Sequence, residues 1–148
     1  KYDNVRVGLN SRLDTIQAAI LLEKLKIFPS ELEMRSNIAR RYSESLRGFC
    51  DIPKIAEDLM SAWAQYTLIL DNRDQVQKRL KGESIPSVIY YPKPLTVQLG
   101  YSHYPKVTSG TPVSETLSLR VLSLPMHPYI TLSSQDAIIS CVIESLKG

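Results

Sequence analysis

A chain of 148 residues is enough for one domain with a helical arm beside it. It is 43% hydrophobic and 22% charged, a balance that excludes a disordered, collagen-like or coiled-coil chain. Eighteen basic residues against fifteen acidic ones leave a net charge of +3, too little to argue for a nucleic-acid partner.

Asn10-Ser11 offer cap residues for a first helix running from Arg12 to about Phe28, where Pro29 interrupts the pattern. Its apolar positions include Leu13, Ile16, Ile20, Leu21, Leu22, Leu25 and Phe28, which cover more than one face, so this helix needs neighbours on two sides. A second helix is expected from Ser30 to about Leu46, with Glu31 and Glu33 near its positive end and Gly48 stopping it. Residues 49–60 read as a connecting loop. Ala62 to Leu70 is rich in aromatic and β-branched residues and is the best strand in the chain. A short helix from Arg73 to about Lys81 follows, ended by Gly82. Ser87 to Tyr91 reads as a second strand closed by Pro92 and Pro94. Residues 95–111 look irregular, with one helical turn near Leu95–Leu99. Pro112 opens a helix reaching about Val121, and Leu122–Pro125 reads as a short edge strand at best. Thr131 to Asp136 lead into a terminal amphipathic helix that carries Ile138, Cys141, Val142 and Leu146.

The expected fold is therefore an α+β sandwich. It has a few-stranded, mostly antiparallel sheet with flanking helices (residues 49–148) behind an N-terminal two-helix arm (residues 1–48). The longest apolar run, Ala18-Ala19-Ile20-Leu21-Leu22, is far short of the roughly 18 residues needed to cross a bilayer, so no membrane partner is expected. Lys1 to Arg6 is followed by no apolar stretch of the kind found in a signal peptide. Cys50 and Cys141 stand far apart without metal-ligand spacing, which fits two buried thiols in a reducing cytoplasm and no metal site.

Chemistry-bearing motifs are sparse. The chain contains no GxGxxG, P-loop, HExxH or GxSxG pattern. His103 and His127, its two histidines, each stand beside tyrosine and proline in loop-like sequence, a poor setting for a catalytic imidazole. Eight tyrosines are more informative, with pairs at Tyr90-Tyr91 and Tyr101/Tyr104. A Tyr-Tyr-Pro at a strand end could present phenol hydroxyls to a phosphate or a sugar. Strand alternation allows the other reading, one ring packed inward and one in solvent.

Three long segments sharpen this picture. Gly8-Leu9-Asn10-Ser11-Arg12-Leu13-Asp14-Thr15-Ile16-Gln17-Ala18-Ala19-Ile20-Leu21 resembles the GxNxRLDxxQAAIL stretch of the pyridoxal-phosphate-dependent sugar aminotransferases of the DegT/DnrJ/EryC1/StrS family. Tyr90-Tyr91-Pro92-Lys93-Pro94-Leu95 with Gln98 resembles that family's YPxPLHxQ loop. Pro112-Val113-Ser114-Glu115, then Leu122-Ser123-Leu124-Pro125-Met126-His127-Pro128-Tyr129, resembles its closing PVSE and LSLPMHP pattern. Three ordered motifs spread over nearly the whole chain carry far more weight than one short match. Glu23 to Phe28 and Trp63 to Tyr66 are similar to the subgroup that aminates nucleotide-linked 3-keto sugar acids.

The resemblance implies the small C-terminal domain of a fold type I aminotransferase. In that family a larger N-terminal domain carries the Schiff-base lysine, and none of the lysines here stands in a comparable segment, so no catalytic residue is expected in this chain. Pyridoxal phosphate is the cofactor of the full-length family and is not expected to bind this chain alone. By the same resemblance, Asn10 corresponds to the residue that reaches the cofactor phosphate of the partner subunit. Arg12, Tyr90 and Tyr91 correspond to groups around the nucleotide-sugar substrate. The family's PLHxQ histidine is Thr96 here, and position 90 is often histidine there. Self-association through the helix at 12–28, most simply as a homodimer, is the expected assembly. The competing expectation is a free-standing dimerisation or ligand-binding module without catalytic activity.

Overall fold

The computed structural model describes residues 5, 6, 8 and 12–147. Asn10, with the capping role expected for Asn10-Ser11, lies outside the described residues. The elements in chain order are α1 (Thr15–Leu46), β1 (Tyr66–Ile69), α2 (Arg73–Gly82), two single 3-10 turns (Leu95–Val97 and Leu99–Tyr101), α3 (Pro112–Arg120), β2 (Val121–Leu124) and α4 (Leu132–Lys147). The fold is α+β: β1 and β2 form a two-stranded antiparallel sheet, and helices surround it.

The expected two-helix arm is one helix. Pro29 lies inside α1 without ending it. Proline at this position costs the one hydrogen bond its N–H would have made to Leu25, and the turns on both sides continue. Ser30, Glu31 and Glu33 are accordingly interior positions rather than a helix start. The two halves of α1 then differ sharply. From Thr15 to Ser30 nearly every side chain is exposed, whereas Ile38, Ala39, Tyr42 and Leu46 are buried at helical spacing. Gly48 ends the arm in the left-handed region at φ +87°, where a residue without Cβ reverses the chain at little cost.

Core packing explains the sheet. Tyr66 and Leu68 of β1 are fully buried, and all four residues of β2 are buried, so the short strand is covered along its whole length although it is one of only two in the sheet. The register pairs Tyr66 with Leu124, Thr67 with Ser123, Leu68 with Leu122 and Ile69 with Val121. The Thr67 and Ser123 hydroxyls face each other across the ladder at 2.8 Å. The strand expected at 87–91 shrinks to a single bridge, Val88 to Ser123, and Asp51 makes a matching single bridge to Ile69. The best-strand segment contracts to 66–69, because Trp63 takes a left-handed backbone at φ 47° that no strand accommodates.

α4 packs against α1 and α2 and closes the core with Ile138, Ile139, Cys141 and Val142. Polar groups lock the α1–α4 contact. The buried Gln135 donates from Nε2 to the Ile38 carbonyl at 2.8 Å, while Arg41 donates to Asp136 Oδ1 at 2.5 Å and to Gln135 Oε1 at 3.2 Å. Among the described residues, no helix is long and apolar enough to cross a membrane.

Candidate functional site

Directly before β2 and α3 the chain forms a cleft of about 810 Å³. One wall is the irregular segment from Tyr90 to Gln98, held to the sheet by the Val88–Ser123 bridge. The other wall is Thr111 with the Ser114, Leu117 and Ser118 face of α3. Pro112 at the first position of α3 fixes this helix directly after Thr111, since proline costs nothing where no intrahelical donor is required.

Side-chain hydroxyls tie the two walls together. Thr96 Oγ1 and Thr111 Oγ1 are 2.9 Å apart, and Thr111 Oγ1 also lies 3.0 Å from Glu115 Oε1. Gln98 is only 4% exposed and its Nε2 meets the Lys93 carbonyl at 3.5 Å, so the loop closes on its own backbone beneath the cleft. Ser118 Oγ donates to the Glu115 carbonyl at 2.7 Å.

Tyr90 and Tyr91 both line this cleft, with ring centroids 5.4 Å apart in an edge-to-face arrangement and a cis peptide bond between them. Tyr90 is half-buried and Tyr91 is 60% exposed. Because 87–91 is not a strand, the alternation that would send one ring into the core does not apply. Arg12 is exposed before α1 and is not among the residues lining this cleft. Thus the structure brings Tyr90 and Tyr91 together and leaves Arg12 elsewhere on the chain. Sequence reasoning missed Thr111, Ser114 and Ser118 as wall residues; the usable signal was the Thr-Pro pair that starts α3.

Chemically the cleft offers phenol, hydroxyl and amide groups with one ammonium, Lys93. That donor set suits a polyhydroxylated, anionic ligand. Among the described residues, no carboxylate or imidazole lines it. Pyridoxal phosphate requires an amine for its aldehyde and a carboxylate against its ring nitrogen. The residues lining this cleft supply no such carboxylate and do not fit the cofactor there, so no step through it is assigned to them.

A second cleft, of about 570 Å³, lies between α1 and the segment after β2. Glu31, 7% exposed, accepts a hydrogen bond from the Tyr129 hydroxyl at 2.6 Å and an ion-paired one from Lys24 Nζ at 3.0 Å. These two donors, Tyr129 first, hold the Glu31 carboxyl below its ordinary range, and the same carboxylate raises both Tyr129 and Lys24. His127 lines this cleft and accepts from the Tyr129 amide at Nδ1, 3.2 Å, while His103 stacks on Tyr104 at 4.5 Å. Among the described residues no cluster of histidine, cysteine and carboxylate side chains could hold a metal ion.

Comparison with known proteins places this geometry. The DegT/DnrJ/EryC1/StrS aminotransferase family matches residues 1–143. The UDP-2-acetamido-2-deoxy-3-oxo-D-glucuronate aminotransferase of Pseudomonas aeruginosa is 42% identical over 135 residues, covering 90% of this chain and 37% of that protein. A crystal structure of a DegT DnrJ EryC1 StrS aminotransferase from Brucella abortus superimposes with a TM-score of 0.86 at 54% identity, over 96% of this chain and 38% of that one. The structure of DesV from S. venezuelae gives a TM-score of 0.87 at 29% identity, over 100% of this chain and 40% of its own. The chain thus spans well under half the length of each of these relatives.

Proposed function

Since the chain belongs to the DegT/DnrJ/EryC1/StrS aminotransferase family, we propose that it is the C-terminal small domain of a pyridoxal-phosphate-dependent enzyme that transfers an amino group to a nucleotide-linked keto sugar. The observation that carries this reading is the cleft between the Tyr90–Gln98 loop and α3. Two of the three family-like motifs form its walls, and their hydroxyl, amide and ammonium groups match a sugar bearing phosphates. Similarity to the P. aeruginosa aminotransferase, whose name specifies a UDP-linked 3-oxo sugar acid, supports a substrate of that class. In this reading Tyr90 and Tyr91 contact the sugar nucleotide, Arg12 meets its acid or phosphates, and Asn10 reaches the cofactor phosphate of a partner subunit. In this reading the 148 residues alone carry no turnover, because none of their lysines, Lys93 of the cleft included, stands in a segment like the one that carries the family's Schiff-base lysine.

The test is a titration of the purified chain with a UDP-linked sugar acid, followed by amide chemical shifts, beside a transaminase assay with pyridoxal phosphate and glutamate. Perturbations confined to residues 90–98 and 111–118 and to Arg12, without turnover, are expected. Shifts scattered over the surface would remove the substrate assignment. A borohydride-stable cofactor adduct at one lysine with turnover would overturn the inactivity of the chain alone.

A further inference from the structure

Helix α1 should be weakest at Pro29. Its ring takes away the bond to the Leu25 carbonyl, and the helix N-terminal to it, residues 15–28, is almost wholly exposed. Core contacts begin only at Glu31, the first buried residue of the helix. About four turns of helix with almost no burial and with a broken ladder should fray, since isolated helix of this length is marginal in water.

Three side chains span that weak point. Lys24 stands before Pro29 and Glu31 after it, seven residues apart, and their ion pair at 3.0 Å therefore bridges the missing backbone bond. Glu31 is in turn fixed from outside the helix by the Tyr129 hydroxyl at 2.6 Å, from the segment that follows β2. One turn further on, Arg35 donates to the Trp63 carbonyl at 2.9 Å and to the Met126 carbonyl at 3.4 Å, so the anchoring continues into the body of the domain. A carboxylate that accepts both a phenol and an ammonium makes charge-assisted bonds, which are stronger than neutral ones.

We propose that Lys24, Glu31 and Tyr129 form a brace that carries α1 past Pro29 and holds its N-terminal half rigid against the domain. Tyr129 and Lys24 are then positioning residues for Arg12, which leads into that half. This last clause rests on the role proposed above for Arg12, whereas the brace itself does not.

Hydrogen exchange followed by mass spectrometry tests the brace with no substrate present, so its failure leaves the aminotransferase reading standing. The comparison is made on the full 148-residue chain at a concentration where light scattering finds a monomer. Tyr129→Phe and Lys24→Met are each expected to speed exchange of amides 18–30 by about fivefold, the factor one hydrogen bond of ordinary worth carries. Amides 138–146 of α4 should keep their protection, and Lys24→Arg should restore the wild-type rate. Unchanged exchange at 18–30 would overturn the brace. So would equal acceleration in both segments, which marks a general loss of stability.

Discussion

Tyr42 of α1 and Tyr66 of β1 stand with ring centroids 5.0 Å apart, and their hydroxyls leave the contact toward different partners. Tyr42 donates to the Pro125 carbonyl at 3.1 Å, just beyond β2, while Tyr66 pairs with Ser43 Oγ of α1 at 2.8 Å. Burial raises both phenols above their ordinary range. The pair stitches helix, strand and loop at one point of the core.

Tyr42→Phe keeps the ring and removes only the donor to Pro125. The expected loss is about 1 kcal/mol, because the carbonyl is left unpaired. Tyr42→Ala should cost about 3–5 kcal/mol by adding a cavity. Urea denaturation of both variants checks the ratio. Equal losses would mean that the ring packing contributes nothing beyond the hydroxyl.

Much of this core was legible from pattern alone. Leu46, Leu68, Val142 and their neighbours fall at helical or alternating spacing, and such periodicity survives in any context that buries one face. The places where the sequence misled share a cause, namely that a local signal was outvoted by tertiary packing. Pro29 is a strong helix breaker by itself, yet one missing bond is outweighed when the turns after it are anchored in the core. The short strand read at Leu122–Pro125 forms one residue earlier, at Val121–Leu124, where pairing with β1 buries all four of its residues. Tyr90-Tyr91 looked like an alternating strand end because only one bridge residue, Val88, separates strand from loop there. For the cleft, the Tyr90–Gln98 loop was readable through its family-like motif. The opposing wall was not, because hydroxyls such as Thr111 and Ser118 acquire meaning only when α3 brings them near.

The Glu31 network predicts a pH dependence with a definite sign. Glu31 is held below its ordinary value of 4.5, so its contribution to stability is fully present above that value and is lost as pH falls through the lower folded one. Tyr129 is raised above 10.0, so its contribution is present below that value and is lost as pH climbs through the higher folded one. The difference in melting temperature between wild type and Tyr129→Phe should stay level from about pH 5 to about pH 9, and should narrow in stronger acid. A difference that widens below pH 4 would contradict the arrangement.

Cys50 should be a sluggish thiol. Burial, with Asp51 adding to it, pushes its pKa up to about 11, so at pH 8 roughly one thiol in a thousand is ionised. Cys141 is raised as well, again chiefly by burial. Iodoacetamide at pH 8 is expected to alkylate Cys50 at least about tenfold more slowly than a free thiol of ordinary pKa, and Cys141 more slowly than such a thiol as well. Mass spectrometry of a time course provides the check. Rapid single-site labelling at Cys50 would show that loop 49–60 opens readily.

The N-terminal half of α1 predicts assembly. Ile16 is 77% exposed, Leu22 63% and Leu25 62%, and Ile20, Leu21 and Phe28 are exposed beside them. The three charges along this stretch are paired, Lys26 with Glu23 at 2.7 Å and Lys24 with Glu31 at 3.0 Å, and leave the apolar side chains uninterrupted by unpaired charge. Each aliphatic side chain left in water forgoes about 1.5–3 kcal/mol. Three of them together approach the whole stability of about 5–15 kcal/mol typical of a domain. An apolar stripe of this extent marks a partner surface, and a second copy of the same helix presents the same stripe in a two-fold arrangement. This chain should therefore self-associate through residues 16–28. Light scattering at micromolar concentration should give about twice the monomer mass for wild type, and Leu21→Glu or Ile20→Glu should return it to a monomer by placing a charge in the apolar contact. The helical content of either variant, read by circular dichroism, should hold, because positions 20 and 21 contribute no side chain to the core. A wild-type chain that stays monomeric, or a charged variant that remains associated, would show that the exposed half of α1 is not the contact between copies.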